Sequence, residues 1–344
     1  MADPTYAELP LPPVERLRPG LWSIPVPIPN NPLRYVLVYA FETDRGPFLI
    51  DAAWNTDDAY QTLVAGLEVA GFAIGDVQGV LVTHIHPDHY GLAGRIREAS
   101  GAWVALHPAD ARLIEARYDD PDELLGQMAT MLRRDGAPPD EINGLQNASM
   151  PVRPFVWAVT PDILVEDGDK PEVPGWDLTA IWTPGHSPGH LCFYESGQRL
   201  MLSGDHVLPR ITPNISFHPQ AGADPLGDYL ASLDKVAAFD VGEVLPAHEY
   251  RFLDLRGRVG ELKAHHQARF DEVISAIREG VTTTWGLASR MTWNRPWDEI
   301  QGFMRRAAVG ETLAHLHYLQ RLGVLREEVG EPSHWMLVDT ATRA

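Results

Sequence analysis

Residues 83–89 read Thr-His-Ile-His-Pro-Asp-His, so His84, His86, Asp88 and His89 place four metal-capable side chains within six residues. Imidazole and carboxylate are the donors that zinc and its neighbours accept when thiolates are lacking. In an extended segment His84 and His86, two positions apart, point to the same side, whereas Asp88 and His89 begin a helix and turn toward a neighbouring position. One segment can therefore serve two metals. Three ligands do not complete even one zinc site, so further donors must come from elsewhere. His186 lies in Thr-Pro-Gly-His-Ser-Pro-Gly-His (183–190), Asp205 in Leu-Ser-Gly-Asp-His (202–206), and His248 follows Val-Leu-Pro-Ala (244–247). Each sits just beyond an apolar run. Taken singly they read as loop residues; beside the first motif they become a candidate donor set. Cys192 is the single cysteine, which removes an internal disulfide and a thiolate zinc knuckle.

The elements that must carry these donors alternate. Short apolar or β-branched runs predict strands over 33–41, 47–51, 77–83, 103–106, 178–183, 191–194, 200–203 and 241–245. Helical spacing predicts helices over 57–70, 89–100 and 225–239, the last with Leu226, Tyr229, Leu230, Leu233 and Val236 on one core face. The order is that of an α/β fold, in which sites gather at strand carboxyl ends. Residues 107–167 look inserted, helical at first and then proline-rich. Their Met128 and Met131 suit a lid over an apolar substrate, while a helical hairpin that merely packs on the scaffold stays open. After residue 256 helix formers dominate: a long helix over 260–277, helices over 285–291 and 307–322, and a terminal pair over 323–328 and 333–338. This predicts a catalytic domain over 1–255 and a small helical, winged-helix-like domain over 256–344.

Composition narrows the partners. The chain has 344 residues, 28 basic against 47 acidic, for a net charge of −19. Residues 1–255 carry 16 basic and 36 acidic groups, residues 256–344 carry 12 and 11. Such a surface repels phosphate polymers and anionic membranes, which makes nucleic acid an unfavoured ligand and a small molecule the expected one. The opening residues are polar and proline-rich without a basic and apolar leader pattern, and no eighteen apolar residues run together; the expectation is a cytoplasmic protein.

The ordered set His84-x-His86-x-Asp88-His89, His186, Asp205 and His248, with Asp51 ending Phe-Leu-Ile-Asp (48–51), resembles the five motifs of the metallo-β-lactamase fold superfamily over about residues 20 to 255. The resemblance implies a four-layer αβ/βα sandwich with its site along one edge. It also implies that His84, His86 and His186 hold a first metal, that Asp88, His89 and His248 hold a second, and that Asp205 bridges both. Two Zn2+ ions are the implied cofactors, with Fe or Mn as alternatives. In the implied mechanism the ions share a hydroxide that attacks a carbonyl, Asp88 moves a proton to the leaving group, and Asp51 and Thr83 hydrogen-bond to ligands and fix their orientation.

Departures within the superfamily sort the chemistry. Secreted zinc β-lactamases of the commonest class have Cys where this chain has Asp205, and flavin-linked di-iron members have Glu at the place of His86. The bridging Asp and His-Glu-Tyr at 248–250 look more like glyoxalase II and relatives that hydrolyse thioesters. The C-terminal part looks like the winged-helix extension of a lactamase-β-like branch that includes a ribonuclease. The leading expectation is thus a dinuclear metal hydrolase acting on an acyl thioester, lactone or ester, with promiscuous β-lactam cleavage. A phosphodiesterase or ribonuclease, a one-iron sulfur dioxygenase and a non-enzymatic winged-helix sensor are the alternatives, and a homodimer is expected.

Four further residues are candidates for substrate contact or catalysis, beside His190. His190 either donates to a substrate carboxylate or carbonyl or packs beside its loop. Tyr250 and His206 are candidate substrate contacts, although His206 follows a proposed ligand and should point away. Met128 and Met131 would contact substrate if the insertion is a lid. His265, His266 and Arg269 form a basic group that either lines the groove or faces solvent.

Overall fold

The computed structural model describes residues 10–338. The first nine residues of the polar N-terminal stretch, and residues 339–344, lie outside that range. Strands β1 (Glu15–Arg18), β2 (Leu21–Pro27), β3 (Tyr35–Phe41), β4 (Phe48–Ile50), β5 (Gly79–Leu81), β6 (Trp103–Leu106) and β7 (Ile163–Leu164) form one sheet in sequence order. It is antiparallel from β1 to β4 and parallel from β4 to β7. A second sheet runs β11-β10-β9-β8, from β8 (Leu178–Trp182), β9 (Leu191–Glu195), β10 (Leu200–Gly204) and β11 (Glu243–Pro246). A hairpin of β12 (Leu325–Glu328) and β13 (His334–Leu337) closes the described chain.

Period-two alternation explains why the two sheets face each other. In β3, Tyr35, Leu37, Tyr39 and Phe41 join Leu191 and Phe193 of β9 and Leu200 and Leu202 of β10 in the core between the sheets. The intervening Val36, Val38 and Ala40 face outward onto α1 (Asp57–Ala70) and its neighbours, where Leu63 and Leu67 cover them. The other sheet turns Cys192, Met201 and Val244 the opposite way. The result is the expected four-layer αβ/βα sandwich.

Helix α2 (Pro87–Tyr90) and α3 (Ala93–Ser100) replace the single helix expected over 89–100. The break has a clear cause: Leu92 N–H donates to Ala53 O (3.0 Å) and His89 O accepts from Ala52 N–H (2.7 Å), so this backbone pairs with the loop after β4 instead of with itself. The inserted region holds α4 (Pro108–Ala111), a π turn over Glu115–Asp119, α5 (Asp122–Arg134) and α6 (Pro139–Gln146). The later helices are α7 (Pro225–Ala237), α8 (Leu255–Arg278), α9 (Thr284–Ala288) and α10 (Gly302–Arg321).

The C-terminal helices share a core with the second sheet. Leu262, Val273, Leu287, Leu316 and Trp335 pack in one cluster with Met201, Leu226, Tyr229 and Val244. Full burial of each aliphatic side chain contributes roughly 1.5–3 kcal/mol. The lid contacts proposed for the methionines are corrected: Met128 packs with Leu132, Ala137 and Leu145, and Met131 and Trp285 lie against them. This insertion face meets α10 and the terminal hairpin, as Arg305–Glu141 (3.0 Å) and Arg134–Glu327 (3.0 Å) also show. The reading of 265–269 as a groove or solvent patch is corrected too. His266 and Arg269 are buried, and Arg269 pairs with Glu272 at 2.6 Å. Among the described residues no helix is long and apolar enough to cross a membrane.

Candidate metal centre

The donors converge at one edge of the sandwich because each follows a strand. Residues 83–89 come after β5, His186 after β8, Asp205 after β10 and His248 after β11. His86 takes extended backbone angles at the start of α2 and Pro87 occupies the first helical position, where its missing N–H costs nothing. Three histidine nitrogens meet at one place: His84 Nε2 to His86 Nδ1 is 2.9 Å and His86 Nδ1 to His186 Nε2 is 3.0 Å. A second group faces them. His248 Nε2 lies 3.4 Å from Asp88 Oδ2, and His89 Nε2 lies 3.7 Å from the same oxygen. Asp205 reaches both groups, with Oδ1 at 3.3 Å from His248 Nε2 and 3.5 Å from His89 Nε2, and Oδ2 at 3.6 Å from His186 Nε2.

The outer ring nitrogens decide what the inner ones can do. His248 Nδ1 donates to Tyr35 O (2.9 Å) and His186 Nδ1 to Asn214 O (2.9 Å), because a carbonyl only accepts. His89 Nδ1 faces Asp51 Oδ2 at 2.8 Å. Each contact holds a proton on the outer nitrogen and leaves Nε2 facing inward, where it becomes a ligand once it gives up any proton of its own. His89 Nε2, His248 Nε2 and Asp205 Oδ1 are buried without a hydrogen-bond partner. Buried polar atoms left unpaired are expensive, and a cation between them removes that cost. The donor set fits a metal: His84, His86 and His186, then His84, His89 and Asp205, then Asp88, His89 and His248 each offer atoms close enough to share an ion.

Electrostatics agree with the arrangement. Burial holds His84, His86 and His186 below the usual imidazole range, helped for the first two by neighbouring histidines, so these rings are neutral donors. Burial would raise the Asp205 carboxyl, but His248 and His89 outweigh it and hold it well below the usual range. Conversely, Asp205, Asp51 and Asp88 overcome burial and raise His89 well above its ordinary value.

Asp51 and Thr83 stand where expected, behind the donors. Asp51, whose φ is 68°, accepts from Thr83 N–H at 2.8 Å and Thr83 Oγ1–H at 3.1 Å in addition to His89. The expectation that His190 meets substrate is corrected. Its ring is buried, Nδ1 pairs with Thr183 Oγ1 (2.8 Å), and Nε2 accepts from Asp205 N–H (3.1 Å). Gly204 makes that approach feasible, since a Cβ there would lie 2.7 Å from His190 Nε2. His206 is corrected as well: it is fully buried beside Tyr229, with ring centroids 5.1 Å apart. Tyr250 is exposed and lies over Arg210, in a groove of about 420 Å³ with Tyr35 and Glu249 that includes none of the donors.

One positioning residue escapes the sequence reading. Asp110, fully buried in α4, accepts from Ile85 N–H (2.9 Å), Ser187 Oγ–H (2.8 Å) and Gly189 N–H (2.6 Å). It clamps the His84–His86 loop to the His186 loop. Burial pushes its carboxyl up while the three donors oppose that rise. A Cβ at Gly189 would lie 2.6 Å from Asp110 N, so the clamp needs glycine there. The only signal was an Asp shortly after a strand end.

The comparisons with known proteins fit this geometry. The family model described as the metallo-beta-lactamase superfamily matches residues 31–248, which include every donor. The solved structure of a metallo-beta-lactamase family protein from Thermus thermophilus aligns with a TM-score of 0.80 at 32% identity, covering 94% of this chain and 100% of that one. A beta-lactamase domain protein from Burkholderia ambifaria shares the fold, with a TM-score of 0.79 at 24% identity over 98% of this chain and 97% of that one. Among curated proteins, lactamase-like protein adaB of Aspergillus niger is 31% identical over 137 residues, 38% of this chain and 41% of its own length. An atrochrysone carboxyl ACP thioesterase of Cryptosporiopsis sp. is 29% identical over 115 residues, 33% of each chain. The chain spans less than half the length of these curated relatives. A family match running from β3 to His248, on a sandwich whose strand ends gather metal-capable His and Asp, means that the chain belongs to the metallo-beta-lactamase superfamily.

Proposed function

We propose that the protein is a hydrolase that holds two divalent cations, zinc first and iron or manganese as alternatives, and cleaves a carbonyl substrate with an apolar portion. An acyl thioester is the leading substrate, a lactone or other ester the next. The observation that carries this reading is the two-sided placement of Asp205, whose Oδ1 faces His89 and His248 while Oδ2 faces His186. A shared carboxylate between two nitrogen groups serves a bridged pair of ions and is superfluous to a lone one. The superfamily is generally hydrolytic, and one matched relative is named for thioester cleavage.

In this reading His84, His86 and His186 would hold one ion and Asp88, His89 and His248 the other, with Asp205 placed within reach of both groups. When bound, such ions supply Lewis acidity that ionises water near neutral pH and polarises a carbonyl oxygen. The rest falls to the chain. Asp88, only 9% exposed and 3.4 Å from His248, accepts a proton from the attacking water and passes it to the leaving group. Asp51 and Tyr35 O keep His89 and His248 in the tautomers that turn Nε2 inward, and His190 holds the Asp205 backbone. The half-buried His86 and His186 mark the open side, where substrate enters.

The test is a panel on metal-loaded protein: a thioester, a lactone, a cephalosporin and bis-p-nitrophenyl phosphate. Chelator-sensitive turnover of the thioester, with lactone second and the cephalosporin slow, is the expected result. Turnover confined to the phosphodiester overturns the reading, as does no turnover combined with salt-dependent DNA binding.

A further inference from the structure

Arginines of this acidic chain commonly meet carboxylates: Arg18 pairs with Glu243 at 2.6 Å, Arg95 with Asp57 at 2.7 Å and Arg305 with Glu141 at 3.0 Å. Among the described residues Arg117 and Arg306, like the half-buried Arg153, meet amide or backbone oxygens instead. Arg117 Nε donates to the amide oxygen of Gln220 at 2.8 Å. Arg306 donates to the Leu145 and Gln146 carbonyls at the end of α6 (3.3 and 3.4 Å) and to Ser149 Oγ. Both arginines border one segment: Gln220 accepts from Arg117, and Ser216, four positions earlier, donates to the carbonyl of Ala307, the residue after Arg306. Half-buried like charges without a counterion are costly, in a chain with 47 acidic residues from which to supply one.

Their position is informative. Tyr118, the residue after Arg117, donates to Ile85 O between His84 and His86 (2.7 Å), which sets the Arg117 turn beside the centre. His218 Nδ1 accepts from Gln220 N–H (3.2 Å). The segment carrying both residues ties His186 to α10: Asn214 O accepts from His186, Ser216 Oγ donates to Ala307 O (3.1 Å), and Phe217 N–H donates to Gly310 O (2.9 Å). The cationic pair therefore stands at the open His86–His186 side of the centre. Beside it, Phe303 and Met304 are 53% and 58% exposed, and Arg306 lies 5.3 Å from the Phe303 ring.

We propose that Arg117 and Arg306, with His218 beside them, form a subsite for a carboxylate or phosphate carried by the substrate of the metal centre. The guanidinium fork matches the paired oxygens of either anion, and a local positive field draws anions through an otherwise repelling surface. The proposal rests on the hydrolase reading above for its substrate. Two sources present this chemistry: an acyl group ending in a carboxylate, and a carrier thiol bearing a phosphate.

Glutarate and 4′-phosphopantetheine, titrated calorimetrically into chelator-treated protein, represent the two sources without help from metal. Arg117→Gln, which gives up a single hydrogen bond, should weaken one of them by about 10-fold or more, with Arg117→Lys between. A loss on glutarate assigns the anion to the acyl end; a loss on 4′-phosphopantetheine assigns it to the carrier. Equal binding to native protein and Arg117→Gln, or no binding of either probe, overturns the subsite. On metal-loaded protein, glutaryl- and acetyl-N-acetylcysteamine and acetyl-4′-phosphopantetheine give the matching kinetic test. Arg117→Gln should lower the kcat/KM preference for the anionic over the neutral thioester by about 10-fold. If no thioester is cleaved but the binding difference persists, the thioester reading falls and the subsite stands. If all three are cleaved with unchanged preference, the hydrolase reading stands and the subsite falls.

Discussion

The strand-end centre and the C-terminal helices each bury a group of histidines, but they treat the ring nitrogens differently. At the centre, outer nitrogens are anchored by Tyr35 O, Asn214 O and Asp51, and inner ones face each other and two carboxylates. In the C-terminal helices His315 Nδ1 donates to Glu311 O (2.7 Å), and its Nε2 then meets His266 Nδ1 at 3.1 Å. The rings share one hydrogen bond, and among the described residues the nitrogen left over, His266 Nε2, faces no carboxylate. The Glu311 carboxylate goes to Asn214 instead (3.1 Å), and burial keeps both rings neutral, His266 near 2 and His315 near 4. Histidine density alone therefore does not make a metal site; carboxylates set against inward ring nitrogens with no other partner do.

The largest effect expected from that contrast is at Asp205. Asp205→Asn should lower bound metal and thioester turnover by more than about 100-fold, beyond the loss typical of a residue that only supports a ligand. Metal analysis beside steady-state kinetics checks it, and full activity with unchanged metal content would remove Asp205 from its shared position. Next come the supports: Asp51→Asn and Asp110→Asn should each weaken metal binding by about 10- to 100-fold while the protein stays folded. Competition against a chromogenic chelator measures this. An effect at Asp51 without one at Asp110 would mean that the loops hold their geometry unclamped.

A proton count sharpens the contrast further. Burial alone would lower His248, but Asp205 and Asp88 outweigh it and raise the ring to about 10 in the metal-free protein. At pH 8 that ring is charged, whereas a metal ligand must be neutral. Metal binding at pH 8 should thus release at least one proton, seen as a buffer-dependent heat, and should weaken as pH falls. The smallest effect belongs to the second histidine group: His315→Gln should leave metal content and turnover alone and cost about 1–3 kcal/mol of unfolding free energy. Loss of metal in that variant would erase the distinction between the two regions.

Much of the centre was legible because local spacing and strand ends suffice to place it. His84, His86, Asp88 and His89 lie in one turn-forming segment, and the other donors each follow an apolar run that becomes a strand. The missed elements have physical causes. Strand β2 contains Pro25 and Pro27, which read as breakers, yet β1 pairs only with Leu21–Ser23, so those prolines sit where no second neighbour needs their N–H. Asp110 was invisible because its partners lie 25 and 79 residues away in the chain. The helical period of α5 correctly marked a face with Met128 and Met131, but periodicity does not say which neighbour covers it, and the C-terminal helices do.

The donors all hang from strand ends, while the proposed anion subsite draws on the inserted turn that bears Arg117 and on α10, which bears Arg306. The reactive floor and that subsite are thus separate parts of the polypeptide. Drift in the subsite can retune which molecule is admitted while the floor stays untouched, so close kin with an unchanged set of donors need not consume the same compound.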